Sequence, residues 1–353
     1  MLYFSADTTI KVWNVHGGKE VSSFAGHSDV VTSIVLLNAR HSQKLSTLLK
    51  WGQVSRIVVS ASLDCHIKLW SLLNGKELLS MYTYNGITFM DYFPCELGMI
   101  IGTDGGKLEL WDIVSAKVIS SVCAHEASVS GIKVEEPYIH TCSGDGTVRV
   151  WLFDEKEIQP LYIRRRKEPS SDERFKPSQW KTLDISGDTI YLGDNSNTLK
   201  VLDWRMGHMQ MYLNQVEFDG ICEAVIVKEN VLFSTFFDSS SDMGGINVWK
   251  LPEFLYICTL TGDVQDIYSL AVTQSKDKLR IVSGGQQLLV WDIDFTKPSK
   301  KNQETFYVTE TDPLGIRLNE NATDASRQAE VTRRRLAAAD PNDVNKKSWC
   351  NIF

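Results

Sequence analysis

Few residues in this 353-residue chain are of a type and spacing suited to covalent chemistry. The sharpest set is the last four, Cys350-Asn351-Ile352-Phe353. A cysteine fourth from the end with an aliphatic residue at Ile352 is the C-a-a-X pattern, which a prenyltransferase reads to attach a lipid to the thiol. Phe353 points to geranylgeranyl, farnesyl being the other option, and Asn351 departs from the aliphatic preference. A second set, His27, Ser60 and Asp64, holds the side-chain types of a nucleophilic triad. Nothing in the sequence supplies the exposed nucleophile and oxyanion hole that such chemistry needs, so no catalytic set is expected. The run GTDGGK (102–107) lacks the full phosphate-loop spacing and reads as a tight turn. Arg165, Arg166 and Lys167, which follow Arg164, are candidates for docking phosphate or an acidic protein surface. Phosphorylation of Ser170 or Ser171 would reverse the charge there. The loop 236–245, with Asp238 and Asp242, is a further candidate contact, and it reads as a solvated hairpin rather than a cation site.

Composition narrows the classes. The net charge of −7 disfavours a general nucleic-acid binder, which would carry a basic excess. Cys65, Cys95, Cys123, Cys142, Cys222, Cys258 and Cys350 show neither close pairing nor metal-ligand spacing. That suits reduced thiols in a cytoplasmic protein without metal or cofactor. No leader sequence opens the chain and no apolar run reaches about 18 residues, so neither secretion nor a membrane span is expected.

The elements that position these residues repeat. Short apolar strands end in KVWN (Trp13), KLWS (Trp70), ELWD (Trp111), RVWL (Trp151), KVLDW (Leu202, Trp204), NVWK (Trp249) and LVWD (Trp291). From Trp70 on, the gaps run from about 40 to about 53 residues, the period of a repeat architecture. One repeat cannot bury its own apolar face, so repeats must stack or close. Gly26 to Gly75 reads as four strands: AGHSDVVTSIVLL, RIVVSAS, IKLWSL and KELLSMY. Four strands in about 40 residues is the blade of a β-propeller.

In these motifs the chain resembles the WD-repeat family, over about residues 2–310. The resemblance implies an all-β, seven-bladed propeller and a buried network linking histidine, serine, aspartate and tryptophan in each blade. One repeat matches with His27, Ser60, Asp64 and Trp70, and another with His125, Thr141, Asp145 and Trp151. Other repeats depart. The third keeps Asp104 and Trp111-Asp112 without the opening histidine. The fifth keeps Asp194 but has Leu202 in the tryptophan place, with Trp204 two places on. The sixth stretches its hairpin to DSSSDMGG, and the seventh has Gly284-Gly285 in place of aspartate.

Two insertions break the period. Residues 38–56 separate the first and second strands of their blade, and LSTLLKW there suits a short helix. Residues 160–179 separate a fourth strand from the next first strand, at the face where propellers bind partners. The first blade starts at its second strand. Either sequence upstream is missing, which is favoured, or PLGIRL (313–318) supplies the strand, weakened by its proline. ETFYVTE (304–310) is expected to be the last strand, so the propeller spans 1–310 and a tail spans 311–353. Within the tail, 324–340 reads as a marginal helix. Arg333, Arg334, Arg335, Lys346 and Lys347 give 331–347 a net charge of +3. One prenyl chain holds a membrane weakly, so such a basic segment would be the second signal for reversible, peripheral association. The expected function is a non-catalytic scaffold that binds proteins at a membrane surface. The alternative is a soluble adaptor with an unmodified tail, such as a ubiquitin-ligase substrate reader or a cytoskeletal or signalling regulator.

Overall fold

The computed structural model describes residues 2–4, 8–14, 19–52, 54–165, 179–196, 198–213, 221–238, 243–261, 267–275, 278–285 and 288–294. The strands fall into two compact units, Met1–Gln179 and Trp180–Phe353. The first unit opens on a three-stranded sheet, β1 (Leu2–Phe4), β2 (Ile10–Asn14) and β3 (Lys19–Phe24). Three four-stranded sheets follow. They are β4 (Val31–Leu36), β5 (Ile57–Ser62), β6 (His66–Ser71) and β7 (Glu77–Tyr82); β8 (Ile87–Phe93), β9 (Gly98–Thr103), β10 (Lys107–Asp112) and β11 (Lys117–Cys123); and β12 (Val129–Glu135), β13 (Tyr138–Ser143), β14 (Thr147–Asp154) and β15 (Glu157–Arg165). The second unit holds β16 (Trp180–Ser186), β17 (Thr189–Asp194), β18 (Thr198–Asp203) and β19 (His208–Leu213), then β20 (Val225–Lys228), β21 (Val231–Asp238), β22 (Met243–Lys250) and β23 (Leu255–Thr261). Its last sheet has three strands, β24 (Ile267–Ser275), β25 (Lys278–Gly285) and β26 (Leu288–Asp294).

Every sheet is an antiparallel meander of consecutive strands, the build of a β-propeller blade. The expected count of seven blades is corrected. Among the described residues both terminal sheets stop at three strands, and 26 strands suffice for six four-stranded blades, not seven. The segments proposed to complete them, 304–310 and 313–318, lie outside the described residues, as do the tail, Cys350, Arg166 and Lys167.

Alternation along the third strand explains the packing. Ile67 and Leu69 face forward, into a core with Ile87, Met90 and Trp111 of the following sheet. Trp70 faces back, onto Ile10 and Phe24 of the preceding sheet, its ring stacked at 5.9 Å on Phe24. Trp111 and Leu110 divide in the same way between two cores. Both faces of a blade are therefore buried, and each large apolar side chain enclosed there contributes about 1.5–3 kcal/mol. The third-to-fourth-strand pairing slips register just before Trp13, Trp70, Trp111, Trp151 and Trp249. The β18–β19 pairing, with Leu202 in the tryptophan place, runs without a slip. The bulge thus accompanies the indole, and it adds local twist.

The insertion at 38–56 carries helix α1 (Ala39–Leu48), between β4 and β5 as expected but starting before LSTLLKW. Asn38 caps it by accepting the His41 N–H at 2.8 Å, and Leu45 anchors it in the core. The second insertion is shorter than the sequence suggested, because 160–165 extend β15 instead of leaving it.

Candidate functional site

His27 stands in the turn before β4, Ser60 on β5, Asp64 in the β5–β6 turn and Trp70 on β6. The fold brings all four together. His27 Nε2 is 2.7 Å from Ser60 Oγ and Nδ1 is 2.8 Å from Asp64 Oδ2. Trp70 Nε1 donates to Ser60 Oγ at 2.8 Å. Asp64 also accepts the Ser28 and His66 N–H groups, each at 2.9 Å. The consistent proton arrangement has Ser60 donating to Nε2 and Nδ1–H donating to the carboxylate. Burial pushes the His27 pKa below its ordinary 6.5, outweighing the pull of Asp64 in the other direction. Burial would raise Asp64, but the Ser28 N–H, His27 and the His66 N–H outweigh it and hold the carboxyl below 3.8. The distances are those of a Ser-His-Asp triad, yet Ser60 is wholly enclosed and its oxygen already takes the indole proton. No substrate carbonyl can reach it.

The β12–β15 blade repeats the arrangement with threonine. His125 Nε2 lies 2.8 Å from Thr141 Oγ1, and Trp151 Nε1 donates to the same oxygen at 3.0 Å. His125 Nδ1 faces Asp145 Oδ2 at 3.1 Å and Thr147 Oγ1 at 2.9 Å. Burial again lowers the histidine pKa against the opposing effect of Asp145. Asp145 is held low despite burial, by the Thr147 hydroxyl and the Glu126 and Thr147 N–H groups.

The remaining blades solve the same problem with other residues. Strand register shows that neither Asp104 nor Asp194 occupies the place of Asp64, which corrects the sequence alignment. Val31, Ile87 and Trp180 pair with Ser62, Thr103 and Asp194 respectively. Asp104 is therefore one place early and Asp194 two, with Gly105 and Ser196 in the aspartate position. In the third blade the indole of Trp111 donates at 3.0 Å to Glu109, two residues back on its own strand. In the fifth, Lys200 occupies that same strand position and turns inward. Its Nζ lies 2.6 and 2.7 Å from the two oxygens of Asp194, both residues being buried. Burial would raise the Asp194 pKa, but the Lys200 charge and hydrogen bonds hold it down. In the β20–β23 blade and the three-stranded β24–β26 sheet, Trp249 and Trp291 donate to Ser234 and Ser283, each at 3.3 Å.

Two aspartates stitch first strands together within a unit. Asp91 on β8 accepts the Val134 N–H of β12 at 3.0 Å, and Asp184 on β16 accepts the Val227 N–H of β20 at 2.7 Å. Polar residues are thus committed to holding the blades. The end of each sheet that carries the second-to-third-strand turn is the one for which the sequence predicts partner contacts. Arg165 is there, exposed at the end of β15, with Glu126 3.9 Å away. Arg166, Lys167 and residues 239–242 of the 236–245 loop lie outside the described residues.

Residues 18–71 and 116–151 match the WD40 family, described as WD domain, G-beta repeat. These segments contain both polar networks. A striatin homolog of Dictyostelium discoideum is 26% identical over 47% of this chain and 21% of its own length. Autophagy-related protein 16 of Arabidopsis thaliana is 27% identical over 57% of this chain and 36% of its own. The chain thus spans well under half the length of these curated relatives. Among solved structures, the computationally designed Ika8 protein matches with a TM-score of 0.57 and 23% identity, over 83% of this chain and 80% of its own, a likeness of fold.

Proposed function

We propose that this WD40-repeat protein is a non-catalytic scaffold that gathers protein partners, and that prenylation of Cys350 holds it reversibly at the cytoplasmic face of a membrane. The observation that carries the scaffold half is the fate of its polar side chains. Ser60, His27 and Asp64 are enclosed and spent on one another and on Trp70, which leaves the exposed turns as the surface on offer. Among the described residues no helix is long and apolar enough to cross a membrane. The membrane half stands on the sequence: Cys350-Asn351-Ile352-Phe353, with Arg333–Arg335, Lys346 and Lys347 upstream as the electrostatic second signal. Arg165, Arg166 and Lys167 are proposed partner contacts.

Two measurements test it together. Proximity labelling from the full chain should return a specific protein set; a chain that returns none overturns the scaffold reading. Cell fractionation of wild type and Cys350→Ser should show the variant moving to the soluble fraction. If the two fractionate alike, the lipid half is wrong and the chain acts as a soluble adaptor.

A further inference from the structure

The β4–β7 blade carries an arrangement that neither the repeat pattern nor the polar network requires. At the end of β7, Thr83 is buried, and its hydroxyl bonds to Cys65 O at 2.9 Å and to Asn85 O at 3.1 Å. Its N–H also bonds to Cys65 O, at 2.8 Å. Tyrosines flank this anchor and both point outward, Tyr82 52% and Tyr84 77% exposed. Their rings meet edge to face at 4.9 Å, and His66 lies against Tyr82 at 5.2 Å. Leu63 of the adjoining turn is exposed as well. Tyr84 sits at φ +65°, a backbone region that a bulky side chain rarely adopts. A tyrosine held there without burying its ring is a strained arrangement of the kind that collects at binding sites.

The rim is acidic. Asp29 and Asp104 are exposed in turns that touch this corner: Ser62 Oγ donates to Asp29 O at 3.0 Å, and Asp104 N–H donates to Gly86 O at 3.1 Å. The Cys65 thiol registers the field, its pKa raised by burial and then by Asp104, Asp64 and Asp29. The ammonium of Lys68, on β6, is committed to Glu77 at 2.8 Å.

We propose that Tyr82 and Tyr84, backed by His66 and Leu63 and rimmed by Asp29 and Asp104, form a docking platform for an arginine-bearing segment of a partner protein. A guanidinium stacks on an aromatic face while its N–H groups reach carboxylates, and it sheds water more readily than an ammonium. The platform rests on the scaffold reading and names one class of partner for it.

The test uses the full chain and a fluorescein-labelled octa-arginine peptide, with octalysine and octaglutamate peptides of equal length, read by fluorescence anisotropy. Octa-arginine should bind more tightly than octalysine, and octaglutamate should not bind. Tyr84→Ala should weaken octa-arginine about two- to fivefold, the reach of one exposed cation–π contact. The pair Asp29→Asn with Asp104→Asn should weaken it further and flatten its salt dependence. Both tyrosines are exposed, so far-UV dichroism and the thermal midpoint should match wild type. Octa-arginine affinity unchanged in Tyr84→Ala and in the aspartate variant overturns the proposal. So does a dimer in sedimentation that Tyr84→Ala dissolves, which would give the patch to a second copy. If the peptide test fails while proximity labelling still returns partners, the scaffold reading stands and this platform alone falls.

Discussion

Replacing Lys200 with methionine tests whether the fifth blade is held by a buried ion pair. The substitution keeps the unbranched stem and removes only the ammonium. In the native chain that ammonium reaches both oxygens of Asp194 and the carbonyl of Thr198 at 3.0 Å. Without it, the Asp194 carboxylate stays enclosed, still accepting the Ser196 N–H at 2.9 Å and the Ser196 hydroxyl at 2.6 Å. Breaking a buried pair from one side costs about 3–5 kcal/mol, and the remaining serine bonds place this case at the low end, about 3 kcal/mol at pH 7. The pH dependence has a fixed sign. Lys200 holds Asp194 below its ordinary 3.8, so removing it raises the carboxyl pKa. The variant can then relieve its buried charge by taking up a proton, and its deficit relative to wild type should shrink as pH falls. Asp194→Asn added to Lys200→Met should recover part of the loss at pH 7. The assay is urea unfolding followed by tryptophan fluorescence at pH 7 and pH 5. A deficit under about 1 kcal/mol at pH 7, or a double variant no better than Lys200→Met, would refute the ion-pair account.

Two further outcomes follow from the networks. Ser60→Ala leaves the Trp70 indole N–H and His27 Nε2 enclosed without their shared partner, at about 1–3 kcal/mol each. Ser60→Thr should cost much less, since Thr141 does this work two blades on. Urea midpoints of the two variants should therefore separate, and equal midpoints would show the hydroxyl to be dispensable. Acid should unfold the chain in two stages. His27 and His125 have folded pKa values below 6.5, so the unfolded chain binds more protons, and their contribution is complete above 6.5 and lost as pH falls through the lowered values. Asp64, Asp145 and Asp194 lie below 3.8, so theirs is complete above 3.8 and lost further down. Stability that stays flat from pH 7.5 to 5 would contradict the buried neutral histidines.

The networks around Trp70 and Trp151 were legible in the sequence because their residues recur at fixed offsets in a short repeat, and the strands around them have regular lengths. The blade count was not, because closing residues mark where a repeat ends and not how many strands pair beside it, and among the described residues both terminal sheets stop at three. Asp104 and Asp194 were misplaced for a simpler reason. An aspartate near a hairpin looks the same at the turn's first or third position, and only strand pairing separates them. Lys200 and Glu109 carried a readable signal. Each stands two residues before the tryptophan place, on the face that alternation turns inward, where a charged residue must find a partner.

That position explains how the repeats diverge while the fold persists. It holds Lys68, Glu109, Arg149, Lys200, Asn247 and Leu289 in successive blades. Lys68 and Arg149 leave the indole acceptor to a hydroxyl on the neighbouring strand, and their cations lie 5.9 Å from the rings of Trp70 and Trp151. Glu109 becomes the acceptor itself, in the blade where Ile101 replaces that hydroxyl. Lys200 has no tryptophan to serve, because Leu202 needs no acceptor, and it neutralises Asp194 instead. What each blade must satisfy is a count of buried donors and acceptors, not a residue pattern. A substitution at one site is therefore tolerated when its partner changes with it, and the four-residue signature can fade from a blade whose indole N–H still finds an acceptor.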